Sequence, residues 1–303
     1  MEDTADIFDD SLMTLFSVPP IGFSTSSPSD PWVYTPPEDA HSALSTASVP
    51  SVPSAPSPSL APIKLWLPQP PASVFAALQA NNLWLSAVYL SDRIARGEVT
   101  FSDAPILELG AGAGLPSIMA ARMGYAVCCT DYDDASVVGT IRRNLAENLG
   151  GVEVGAKAAA EAEHTGKCAR EGSGPWAVRG HTWGTDTSEL VSLVPRLTSA
   201  SAGGFDLILA DTLWTSAGHD ALLVSIMALL RRGGTAHVTA GLHTGRGPVN
   251  RFMAAAAARG LKVLKHGEVR WLPGGGWGVY EDEENEGEGE VRGVVVYYTL
   301  HRE

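Results

Sequence analysis

Residues 105–118, Pro-Ile-Leu-Glu-Leu-Gly-Ala-Gly-Ala-Gly-Leu-Pro-Ser-Ile, constrain the fold of this chain more than any other stretch. A short apolar run carries one carboxylate, Glu108, and breaks into Gly110-x-Gly112-x-Gly114, with helix-compatible residues after it. This is the pattern of a buried strand, a loop of bare backbone and a helix. Glycine lets such a loop take positive φ and removes the Cβ that would hold a ligand away. The loop and helix-start amides then face whatever carries negative charge or lone pairs. A glycine triplet alone is weak evidence. Here a second apolar run, Tyr125 to Thr130, ends in Asp131 about twenty residues on, the offset of an acidic residue that takes a ribose diol. The pair points to an adenosine-bearing cofactor.

Further along, apolar runs alternate with helical patterns. Strands are expected at 106–109, 126–130, 176–181, 205–210 and 235–240. Helices are expected at 83–95, 116–123, 135–149, 221–232 and 248–259. Two late alternating strands, 262–271 and 291–300, finish the chain. The run Phe205 to Ala210 is almost wholly apolar, as a strand covered on both faces is. The fold class is therefore α/β: a Rossmann-like, seven-stranded, mostly parallel sheet with a C-terminal antiparallel hairpin and helices on both faces. Residues 1–62, rich in Pro and Ser, read as a mostly disordered arm, with a transient helical stretch near 7–16. Residues 63–303 form the Rossmann-like domain, with an insertion at about 151–175 and a solvated acidic loop at about 281–290.

The loop spacing also discriminates between cofactors. A dinucleotide dehydrogenase repeats its mononucleotide half and favours Gly-x-Gly-x-x-Gly. This chain has Gly-x-Gly-x-Gly, no second fingerprint and a closing hairpin, which points to S-adenosylmethionine. The formal net charge of −13 excludes a sequence-independent nucleic-acid binder. No apolar run reaches the roughly 18 residues of a membrane span. Three cysteines, Cys128, Cys129 and Cys168, form no disulfide framework, and no metal-ligand spacing occurs among the histidines. A cytoplasmic protein is expected, with a monomer favoured.

The motifs resemble those of the family 16 group of seven-β-strand methyltransferases, and within it the fungal elongation-factor methyltransferases once named nicotinamide N-methyltransferases. The matching segments are 82–84, 107–117, 130–134 with Asn144, 183–184, and Phe205-Asp-Leu-Ile-Leu-Ala-Asp-Thr-Leu-Trp214 with His219 and Asp220. The resemblance runs from about residue 80 onward. It implies a protein N-methyltransferase acting on a lysine or an N-terminal amine, with translation elongation factor 1-alpha as the favoured target.

It also implies roles for individual residues. Trp84 would wall the methionine end of the cofactor, and Glu108, Gly110, Gly112 and Gly114 would form its loop. Asp131 would hold the ribose, Trp183 would lie against the adenine, and Ala210 would line the pocket. Asp211 and Trp214 occupy the family's Asp-x-x-aromatic signature beside the methyl. Trp214 is a departure from the usual Tyr: it keeps a cation-binding face and loses a hydroxyl. The bland readings are core for Trp84 and Trp183, a turn former for Asp211, helix-start capping for His219 and Asp220, and packing for Trp66, Trp271 and Trp277. The rivals to a protein methyltransferase are a small-molecule, nicotinamide-type N-methyltransferase and a non-catalytic cofactor-binding scaffold.

Overall fold

A computed structural model describes residues 22–23, 30–40, 60–71, 79–155, 173–200, 202–214, 216–272, 275–281 and 293–303. The central element is an eight-stranded sheet. Its strands are β5 (Ile106–Leu109), β6 (Val127–Asp131), β7 (Trp176–Gly180), β8 (Asp206–Ala210), β9 (Thr235–Gly241), β10 (Lys262–Trp271), β11 (Trp277–Val279) and β12 (Val294–His301). They lie in the order β11-β10-β12-β9-β8-β5-β6-β7. The five strands from β7 to β9 pair in parallel, while β12 is antiparallel to both β9 and β10.

The expected strands form, and the seven-stranded count gains one. The short β11 pairs with β10 through Trp271 and Trp277, which were read as packing residues only. Those two rings do meet, edge to face at 5.0 Å.

Strand alternation divides the core in two. Ile106, Val127, Cys129, Val178, Ile208, Val295 and Tyr297 pack on α1 (Leu85–Ala95), α2 (Leu115–Arg122) and α3 (Ala135–Leu149). Leu107, Leu109, Cys128, Ala177, Leu207, Leu209 and Val296 pack on the opposite layer. That layer holds α4 (Ser188–Val191), α5 (Val194–Leu197), α6 (His219–Leu229) and α7 (Arg246–Ala258). Neighbouring residues of a strand point to opposite faces, so this split is what an apolar run covered on both sides must produce.

Several boundaries move for physical reasons. The first helix begins at Leu85 because Asn82–Leu83 is extended as β4, paired with β1 (Gly22–Phe23). The sixth begins at His219 and ends at Leu229, since Leu230 bridges to Phe205. The capping reading of His219 and Asp220 is corrected. Gly218 is the N-cap, His219 Nε2 lies 3.2 Å from the Leu213 carbonyl oxygen, and Asp220 pairs with Arg259 at 2.9 Å. The seventh starts at Arg246, two residues before Pro248.

The reading of residues 1–62 as a segment with little to pack is also revised at 30–40. There β2 (Trp32–Tyr34) pairs with β3 (Ile63–Leu65). Tyr34 is 3% exposed and donates its hydroxyl proton to Asp92 of α1 at 2.5 Å. Trp277 Nε1 donates to the other oxygen of Asp92 at 2.8 Å. The buried carboxylate thus ties arm, helix and edge hairpin together, and burial raises its pKa. The Ile7–Phe16 stretch, Cys168, most of the 151–175 insertion and nearly all of the acidic loop fall outside the described residues.

Candidate functional site

The parallel half of the sheet reverses its order of addition at β5: the chain adds β6 and β7 on one side of it and then β8 and β9 on the other. Crossovers leaving in opposite directions open a crevice at the carboxyl ends of the strands. A cavity of about 500 Å³ lies there. Glu108, Gly110, Gly112, Asp131, Trp183, Ala210, Asp211, Trp214 and Trp84 all line it. Gly114 does not line it; it caps α2, and its φ of 79° lets the chain turn from loop to helix.

At Gly110 only glycine fits without movement. Its φ is 70°, and a Cβ there would sit 2.9 Å from Thr212 Cγ2 and 3.0 Å from Trp183 Cζ2. The first glycine therefore lets the two walls of the cavity close on the loop.

Glu108 is 1% exposed, on the strand face that meets α2. Its Oε2 accepts from the Ser117 backbone N–H at 3.1 Å, from the Ser117 hydroxyl and from Cys129 Sγ at 3.7 Å. Its Oε1 has no protein donor among the described residues. Burial pushes the carboxyl up to about 7, against the opposing pull of the Ser117 bonds.

Asp131 closes β6 and accepts from two backbone amides, Gly112 and Tyr132, each at 2.7 Å. It pins the glycine loop to the neighbouring strand end. Its pKa is raised by burial, which those two amides offset only in part. Each oxygen keeps acceptor capacity for a further donor.

The end of β8 is built differently. Asp211 has a positive φ of 62°, one of two such non-glycine residues among those described. This is a conformation Asp tolerates better than most side chains and one often found at functional sites. Its amide still donates to the Thr239 carbonyl at 2.8 Å, so the backbone turns without losing its ladder partner.

The buried carboxylate meets three groups. Ser86 Oγ donates to Oδ2 at 3.0 Å, His243 Nε2 lies 2.9 Å from Oδ2, and the Gly241 amide donates to Oδ1 at 3.1 Å. The His243 ring also packs on Trp84, with centroids 4.8 Å apart. Sequence reasoning missed Ser86 and His243. The available signal was a histidine three residues beyond a predicted strand end, but nothing in the linear pattern ties it to Asp211.

Two further pocket residues carry buried polar atoms without a partner, Asn82 Oδ1 and Thr212 Oγ1. Native interiors seldom leave such groups unpaired unless a ligand or water supplies the bond. No cluster of metal-ligating side chains occurs among the described residues, and no helix there is long and apolar enough to cross a membrane.

A doubly wound α/β sheet with a glycine loop at its reversal point and a carboxylate ending the next strand defines a nucleotide-cofactor enzyme class. Comparison with known proteins narrows this. Residues 76–161 match a family model described as lysine methyltransferase. The chain is 31% identical over 228 residues, 74% of its length and 77% of the relative's, to the "Protein N-terminal and lysine N-methyltransferase EFM7" of Eremothecium gossypii. The protein of the same name from Yarrowia lipolytica is 28% identical over 74% of this chain and 77% of its own. That of Cryptococcus neoformans is 32% identical over 52% of this chain and 46% of its own.

The chain belongs to the lysine methyltransferase family. It is a methyltransferase, and S-adenosylmethionine is its methyl donor. The cavity fits that cofactor: an open glycine backbone, a buried carboxylate with a free oxygen, and orphaned polar atoms in the wall.

Proposed function

We propose that this enzyme methylates a protein amine, an N-terminal amine or a lysine, in the cytoplasm, with translation elongation factor 1-alpha as the target. The observation that carries the reading is one cavity lined by both the glycine loop with Asp131 and the Asp211–Trp84–Trp214 group. A methyl donor and an amine then meet without a covalent enzyme intermediate. The relatives' shared name supports the choice of a protein amine.

In this reading Asp131 holds the ribose diol and the glycine-loop amides face the methionine carboxylate. Glu108 receives the methionine ammonium, Trp183 covers the adenine, Ala210 lines the floor and Trp84 walls the methionine end. Transfer from a sulfonium is an in-line displacement that needs alignment, exclusion of water and a neutral nucleophile. Asp211 binds the arriving ammonium and orients the amine after proton loss. The Trp214 face stabilises positive charge without competing as a nucleophile.

The test is incubation of the protein with methyl-labelled S-adenosylmethionine and a lysate of cells lacking the enzyme. The expected result is a discrete labelled band of the size of elongation factor 1-alpha, with the site named by mass spectrometry. Label confined to small molecules would overturn the protein-substrate reading. A labelled band of another size would overturn the target alone.

A further inference from the structure

We infer that His243, with Ser86, is a positioning residue for methyl transfer: it holds the Asp211 carboxylate in the single orientation from which that carboxylate meets the substrate amine. The inference rests on the reading of Asp211 as the amine-receiving group. It extends that reading to two residues that contribute nothing to the cofactor loop.

The geometry is over-determined. A carboxylate offers about four acceptor positions. At Asp211 Ser86 Oγ and the Gly241 amide fill two, and His243 Nε2 lies at hydrogen-bond distance from a third. With Asp211 ionised, the imidazole donates from Nε2. One acceptor position then remains, and Asp211 lines the cavity.

The three donors come from separate parts of the fold: Ser86 from the first turn of α1, Gly241 from the end of β9, His243 from the loop beyond it. Ser86 is itself fixed, since its carbonyl accepts from Thr239 Oγ1 at 3.0 Å. A side chain on a backbone at positive φ, tied to three elements, has lost its rotamer freedom before substrate arrives. That is the preorganisation an in-line displacement requires.

Two further observations favour a device over incidental packing. The imidazole folds back on the strand end so closely that a Cβ at position 241 would lie 2.2 Å from Nε2. Glycine at 241 is thus the condition for His243 to reach Asp211. The other side of the relation is Trp84, whose ring packs on the imidazole and lines the cavity. The imidazole spans the carboxylate and an aromatic wall of the same cavity without lining it.

The test compares His243→Ala, His243→Gln and Ser86→Ala in the full chain. The probes are methyl-labelled S-adenosylmethionine and a synthetic peptide of the elongation factor 1-alpha N terminus, or the labelled lysate band if that peptide is not methylated. Misplacing a reacting group by an ångström costs on the order of 100-fold, so His243→Ala should lower kcat by about that much. Cofactor affinity by calorimetry should stay within about twofold, because Asp211 and His243 serve the amine and make none of the proposed cofactor contacts. Gln places an N–H where Nε2 stood and should recover much of the loss.

In an Asp211→Ala background, His243→Ala should change nothing further, as expected of residues acting as a unit. An unchanged kcat in His243→Ala would overturn the inference. So would a loss that Gln does not relieve, or one matched by an equal loss of cofactor affinity and melting temperature. The substrate reading fails separately, if the unaltered protein labels neither peptide nor band. The ¹⁵N shifts of the His243 ring then still report the bond: they should move in Asp211→Asn, and unchanged shifts would overturn it.

Discussion

Replacing Glu108 by Gln should make the protein more stable and worse at binding its cofactor, with both effects governed by pH. Burial moves the carboxyl from 4.5 in the unfolded chain to about 7 in the folded one. Its folded pKa is raised, so the folded state binds the extra proton. The penalty is absent below 4.5, grows as pH rises from 4.5 to 7, and is complete above 7. At about 1.4 kcal/mol per unit, the ionised form costs the fold about 3 kcal/mol at pH 8.

Gln carries no such penalty and can still accept from Ser117 through its amide oxygen. In urea titrations Glu108→Gln should therefore match the parent near pH 4.5 and exceed it by up to about 3 kcal/mol at pH 8. For cofactor binding the sign reverses. An ammonium favours the ionised carboxylate, so the parent's affinity should rise by roughly tenfold from pH 6 to 8 with release of a proton. The variant should bind weakly and without that slope. Calorimetry in two buffers of different ionisation enthalpy reads the proton directly. A variant destabilised equally at pH 4.5 and pH 8 would refute the assignment of a buried, costly charge. A parent affinity flat in pH would remove Glu108 from the ammonium.

Asp131→Ala removes the acceptor of two backbone amides and the proposed ribose contact. With charged hydrogen bonds worth about 1.5–3 kcal/mol, S-adenosylmethionine should bind about 10- to 100-fold more weakly by calorimetry. Tyr34→Phe leaves one oxygen of the buried Asp92 without its donor. It should cost about 1–3 kcal/mol in urea titration while leaving cofactor affinity unchanged, and a neutral result would detach residues 30–40 from the domain.

The parts of the fold legible in the sequence are those decided locally. Ile106–Leu109 and Phe205–Ala210 are too apolar to lie anywhere but between two layers, and Gly110 and Gly114 mark the turn from strand to helix by their own chemistry. The glycine loop and Asp131 were legible for the same reason: spacing along the chain sets their distance. Contacts between remote elements left no such trace. His243 reaches Asp211 across 32 positions, and Tyr34 reaches Asp92 across 58. Neither pair shares a period, a turn or a cap. Residues 30–40 read as arm because proline and serine dominate the sequence around them. What places this segment is one tyrosine and a three-residue ladder. His219 and Asp220 looked like caps since polar residues cluster at helix starts; each instead satisfies a group elsewhere, a carbonyl and a guanidinium.

The position of β12 sets the order in which this chain can mature. Val294–His301 comes last in chain order among the described strands, yet it lies inside the sheet, antiparallel to β9 on one side and β10 on the other. Until it arrives, one edge of β9 presents a row of unpaired amides and carbonyls, and the β10–β11 pair has no sheet to join. A nascent protein thus carries a finished glycine loop beside an open apolar edge, the condition under which strands recruit strangers. The sheet closes only when its last strand in chain order joins two strands made before it.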